Sequence, residues 1–186
     1  MTGNARVTAG GYTPTAKVLH WLVVALLLAQ YTIAWNMPHI GRNTKPDTII
    51  NLHFSFGMLV LVVVLVRLAW RWTHAEPVPL DGIPPWQVAT ARIVHWLLYA
   101  LLLVIPVLGW MNASYRGFHV SFFGIVDFPA LIATRKSGFG WTGDVHMVIS
   151  YYVLLPLIGL HIAAALYHWI VRKDGVIERM LPSRVR

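Results

Sequence analysis

Four stretches of this chain are apolar for long enough to cross a bilayer, and that constrains the fold more than any other feature. They run over about 16–37, 48–72, 88–112 and 144–172. Roughly 20 consecutive apolar residues span the hydrocarbon. In lipid every backbone N–H and C=O must find its partner within the protein, so each run is expected to be a helix. Composition agrees. Of 186 residues, 57% are hydrophobic and 12% charged, against about 25% charged in a soluble domain. The expected fold class is all-α, a transmembrane four-helix bundle, with residues 1–186 forming a single membrane domain. The N-terminus is polar up to Thr15, without the pattern of a cleavable signal peptide.

The connections differ in kind. "THAEPVPLDGIPPWQ" is proline-rich and reads as an ordered loop. The 113–143 connection contains "FHVSFFGIVDFPALI", which is apolar but broken by Gly124 and Pro129. It reads as interfacial rather than spanning. With both termini on one side, that side carries Arg6, Lys17, Arg67, Arg71, Arg92, Arg172, Lys173, Arg179, Arg184 and Arg186. The other side carries Arg42, Lys45, Arg116, Arg135 and Lys136. Ten against five places both termini in the cytoplasm by the positive-inside rule. The net charge of +8 is then a set of flanking anchors rather than a nucleic-acid surface. The nine tryptophans lie mostly near helix ends, as interfacial belts do.

Histidines are what such a chain does not need for spanning. Each of the four runs carries one early, at positions 20, 53, 95 and 146, and the fourth adds His161 and His168. An ionisable group in hydrocarbon is a functional hypothesis by default. On the fourth helix His161 lies about 22 Å below His146 and His168 about 10 Å further, at ~1.5 Å per residue. At ~100° per residue the first two rings diverge by about 60° and the second two by about 20°. All three thus face broadly one way, into the bundle, since lipid offers a ring nitrogen no partner.

His53 and His146 stand alone at the outer level. Two imidazoles on facing helices without a thiol or carboxylate suit the two axial positions of a haem b better than zinc, which usually takes four protein ligands. No cysteine is present, which excludes cysteine-ligated iron–sulfur clusters and covalent haem attachment through C-x-x-C-H. Gly57, one turn beyond His53, reads as clearance for a flat macrocycle. At the inner level His20, His95, His161 and His168 pair in several possible ways, and depth alone does not choose. His39, His74 and His119 fall in loops and read as solvated or interfacial. Pro106 and Pro156 lie inside helices, each followed by glycine three residues on, at Gly109 and Gly159. This spacing reads either as a kink opening space for a cofactor or as ordinary membrane-helix tolerance of Pro and Gly.

Together "LHWLV" at 19–23, "NLHFSFG" at 51–57, "IVHWLLYALLLVIPVLGWM" at 93–111, "VHMVISYYVLLPLIGLHIAAALYHW" at 145–169 and "KDGVIERMLP" at 173–182 resemble the bacterial cytochrome b561 family. The likeness covers Tyr12 to Arg184. It implies two haems b in an inner-membrane bundle, the outer one on His53 and His146, the inner one on His20 and His161. His95 and His168 then remain at the inner edge, the region where the superoxide-oxidising type of this family holds ubiquinone. The implied activity is superoxide:ubiquinone oxidoreduction, electrons entering at the outer haem and leaving to ubiquinone near the cytoplasm. The other reading is an electron-transfer or anchor subunit of a partner dehydrogenase or hydrogenase, and a third is a haem-binding module without turnover of its own. Lys17 and Arg92 read as helix anchors or as partners of haem propionates. The outer loops hold five cations against Asp47, Asp127 and Asp144, a balance of 5 − 3 = +2. Arg116, Arg135 and Lys136 are the expected steering residues for a small anion.

Overall fold

The computed structural model describes residues 10–41 and 43–181. The sequence places Arg6, Arg42, Arg184 and Arg186 outside that range. Four helical spans are long and apolar enough to cross a membrane: Pro14–Trp35, Thr48–Thr73, Pro85–Arg116 and Thr142–Arg172. The first three are the helices α1, α2 and α3. The fourth is composite, with α4 over Thr142–Ile149 and α5 over Leu155–Tyr167. Two π-helical stretches, Ser150–Leu154 and His168–Arg172, follow α4 and α5 respectively.

Local chemistry sets the helix ends. Pro14 opens α1, where a missing N–H costs nothing, and the Thr13 hydroxyl accepts from Ala16 N–H. Asp47 caps α2 by accepting from Ile50 N–H at 2.8 Å. Gly117, at φ 75°, closes α3 in the left-handed conformation that glycine adopts without strain. This helix runs through Pro106 to Arg116, beyond the end expected from sequence.

Neighbouring helices pack in chain order, α1 on α2, α2 on α3 and α3 on the fourth span. Val23, Leu26, Val60, Val63, Val64, Leu68, Tyr99, Leu102, Ile105 and Leu154 form the main core. The backbone of the fourth span comes close to α3 but not to the other helices. Among the described residues none of its Cα atoms comes within 8 Å of α1 or α2, and α5 has no buried residue. Large apolar side chains such as Leu28, Val62, Leu65, Val104 and Leu160 point outward, as lipid-facing residues must.

Both ends are closed by loops. At the far end β1 (Val120–Phe122) and β2 (Val126–Phe128) form an antiparallel hairpin. The Ser55 hydroxyl holds it to α2, donating between Asn51 O and Ser121 O and accepting from Phe123 N–H at 3.0 Å. At the end carrying the termini, the segment after Lys173 straps back across the bundle. Tyr12 N–H donates to Arg179 O, Trp21 Nε1 to Met180 O, and Arg179 to Val78 O. Gly11 permits this approach, since a Cβ there would stand 2.8 Å from Arg179 O.

Candidate functional site

The space between the fourth span and α1–α2 is bridged by side chains at three levels. Nearest the hairpin, His53 on α2 and His146 on α4 face each other with ring centroids 6.1 Å apart and planes at 82°. Next, the Tyr31 hydroxyl donates to Ser150 O at 2.8 Å. Nearest the termini, His20 on α1 and His161 on α5 stand 6.3 Å apart at 71°.

Those separations fit a definite chemistry. An imidazole nitrogen binds a first-row transition metal at about 2.0–2.1 Å, so two rings on opposite sides of one iron have centroids roughly 6 Å apart. Both pairs meet this. Among the described residues no group of three or more His, Cys, Asp or Glu is placed to hold a bare metal ion. A centre using either pair must therefore bring its own equatorial ligands, as haem does.

The surroundings prepare the rings. His146 Nδ1 lies 2.8 Å from Ile105 O. A carbonyl only accepts, so Nδ1 carries the proton and Nε2 keeps a free lone pair for a metal. Gly109 lets the ring reach there: a Cβ on it would stand 2.9 Å from His146 Cε1. Glycine three residues after Pro106 thus clears space for the histidine itself. At the other level His20 Nδ1 is buried and has no hydrogen-bond partner, so one nitrogen of that ring is uncommitted.

The remaining expected residues fall less simply. His95 contacts His161 at 5.4 Å, short of the spacing that the two pairs share. Arg67 lies in electrostatic range of His20, His95 and His161 and stacks over Tyr99 at 5.4 Å. His168 is turned away from this group, its Nδ1 2.6 Å from Asp174 Oδ2, and Arg172 joins the same oxygen at 3.2 Å. Burial raises the Asp174 carboxyl, but hydrogen bonds from His168, Val176 N–H and Arg172 outweigh it and leave the group below its ordinary value. No ring contact joins His95 to His168 among the described residues. Lys17 is buried at the start of α1. Arg92 lines an open cleft of about 470 Å³ with Arg71, His74, Glu76 and Trp96.

Of the cations at the hairpin end, Arg116 donates to Gly41 O and Asn112 Oδ1, while Arg135 and Lys136 are exposed. Among the loop histidines, His119 meets Asp127 at 3.3 Å on the surface, His39 is exposed, and His74 stacks on Trp70 at 3.6 Å. Beside Gly57 lies the Gln30 amide, whose Nε2 would stand 3.4 Å from a Cβ built there, an ordinary contact distance. Sequence reading passed over Gln30 and Asp174. A lone amide in an apolar run was the available signal for the first. The second had none, because its partner is fixed only by the turn at Lys173.

A family model described as prokaryotic cytochrome b561 matches residues 11–183. The chain is 28% identical over 175 residues to "Cytochrome b561 homolog 2" of Escherichia coli K12, covering 91% of this chain and 90% of that one. It is 28% identical over 175 residues to "Probable superoxide oxidase CybB" of Yersinia pestis, covering 89% and 93%. To "Cytochrome b562" of Cereibacter sphaeroides it is 28% identical over 179 residues, covering 94% and 97%. With four apolar spans and facing histidines in the bundle, the chain belongs to the prokaryotic cytochrome b561 family of multi-pass membrane electron-transfer proteins, a cytochrome b family and hence haem b-binding.

Proposed function

We propose that the protein is a dihaem cytochrome b that oxidises superoxide at its outer face and reduces ubiquinone at its inner face. The observation that carries this is the pair of histidine couples, 6.1 and 6.3 Å between centroids, at two depths of one bundle. His53 and His146 hold the outer haem, His20 and His161 the inner, and both termini face the cytoplasm of a bacterial inner membrane. Bound haem iron supplies one-electron storage between the two faces. Each superoxide gives up one electron and leaves as dioxygen. Two such electrons and two protons from the cytoplasm convert ubiquinone to ubiquinol. The chain's own residues do the rest. Ile105 O holds His146 in one tautomer. Arg135 and Lys136 attract the anion. His95 and His168 serve the quinone, where an imidazole can bond a carbonyl and pass a proton near neutral pH. Asp174 keeps the His168 ring oriented for this.

The test is a pyridine haemochrome assay followed by a superoxide pulse on the purified full chain. Two haems are expected, with His53→Ala or His146→Ala removing the outer one and His20→Ala or His161→Ala the inner. One haem per wild-type chain rejects the reading, and loss of the inner haem in His95→Ala rejects the pairing. Superoxide reduces the haems within the mixing experiment. Haems that stay oxidised mean instead that a partner protein is the donor.

A further inference from the structure

The face of α2 that packs into the bundle is apolar over its middle turns and then carries a cation. Val60, Val63 and Val64 are buried in the main core. Arg67 follows Val60 by seven residues, which at ~100° per residue returns it to within about 20° of the same direction. It follows His53 by fourteen residues, about 21 Å along the axis and about 40° round it. His161 follows His146 on the fourth span by nearly the same axial distance. One face of α2 thus presents a histidine at the level of His146 and an arginine at the level of His20 and His161. The electrostatic reach of Arg67 to His20, His95 and His161 agrees with that placement.

A charge inside a membrane bundle is kept there by pairing. Among the described residues the Arg67 guanidinium makes no hydrogen bond or ion pair. It lies over the Tyr99 ring at 5.4 Å. Tyr99, Arg71 and Tyr12 are in electrostatic range, and none is an anion near neutral pH, since a phenol ionises at about 10. Arg71 is itself paired with Glu76. The bundle therefore sets a half-buried guanidinium beside the proposed inner ligands and supplies no carboxylate for it. A b-type porphyrin carries two carboxylates of its own, on its propionate arms. An arginine fork matches a carboxylate at two points.

We propose that Arg67 receives a propionate of the haem held by His20 and His161, donating to both of its oxygens. This rests on those two histidines being axial ligands. A cation held against a propionate offsets negative charge near the iron, which favours the ferrous state and raises the potential of that haem.

The experiment uses the purified, haem-loaded full chain with Arg67→Met and Arg67→Lys, read by spectroelectrochemical titration and by the resonance Raman band of propionate bending. Methionine keeps an apolar stem and removes the charge. The haem on His20 and His161 is then expected to shift about tenfold toward the oxidised form, ~59 mV for one electron, and a propionate band is expected to move. Lysine keeps the charge without the fork, so the potential returns most of the way while the band stays displaced. The haem on His53 and His146 keeps its potential in both variants. An unmoved propionate band in Arg67→Met overturns the proposal whatever the potential does, because a fall in potential alone is the field of a remote charge. Equal shifts in both haems also overturn it. Should methionine cost the inner haem altogether, retention in Arg67→Lys supports the proposal, and loss in both variants overturns it as a packing effect. Retention of both haems in His20→Ala would instead strike the ligand assignment on which it rests.

Discussion

His146 is fixed at two of its atoms, Nδ1 by the Ile105 carbonyl and Cε1 by contact over Gly109. A methyl on residue 109 has no place to go except through the ring. Gly109→Ala is therefore expected to cost about 1–3 kcal/mol by overpacking and to displace His146. The haem proposed on His53 and His146 should be lost while the one proposed on His20 and His161 remains, with a lower midpoint of thermal unfolding in the same preparation. A wild-type haem ratio in that variant would show that the ring reaches its position by another route. At this scale the sequence was partly legible. Depth alone singled out His53 with His146, because no other spanning histidine shares their level. It left the inner partners open because four histidines lie toward one level; the resemblance named His20 with His161, whose rings stand 6.3 Å apart, with His95 5.4 Å from His161. Gly57 faces a glutamine of the neighbouring helix, which an isolated glycine in a sequence does not announce.

Element by element, hydropathy located the spans because it averages over some 20 residues, and tertiary detail rarely overturns such an average. It could not find the 120–128 hairpin, whose three-residue strands depend on one serine of α2, nor the π turns of the fourth span. Those turns matter to the site. Fifteen regular helical steps carry His161 about 60° past His146; residues in a π turn advance by less, and Ser150–Leu154 lies between the two. The strap after Lys173 is anchored by Asp174, and its pH response follows from the sign of its shift. A carboxyl held below its ordinary value of 3.8 contributes stability above that pH and loses it as pH falls through the lowered folded value. Amide exchange in 174–181 should thus stay slow near neutral pH and quicken only in strong acid. Asp174→Asn should be fast at every pH, without the acid step. An acid step that survives in the asparagine variant would assign the strap's pH response to another group.

Over the whole molecule charge is unequally placed: the hairpin end has a formal balance of +2, the end carrying the termini 10 − 4 = +6, and the hairpin end is where a small anion is proposed to arrive. Steering by such a surface raises encounter rates and weakens with salt. Arg116 is tied to Gly41 O, so its removal also loosens the loop. Arg135 and Lys136 are the cleaner probes. Reduction of the haems by superoxide should slow as ionic strength rises, and Arg135→Gln with Lys136→Gln should slow it severalfold at low salt and flatten that dependence. Identical rates and salt slopes in the double variant would exclude these two residues from steering. The way the fourth span is mounted has a consequence of its own. It carries one ring of each facing pair, and it is held by α3 and by the Tyr31–Ser150 bond from α1, so a shift of this span as a body alters both ring separations together. The two ring pairs thus share one support, and a substitution that moves the span is felt at both.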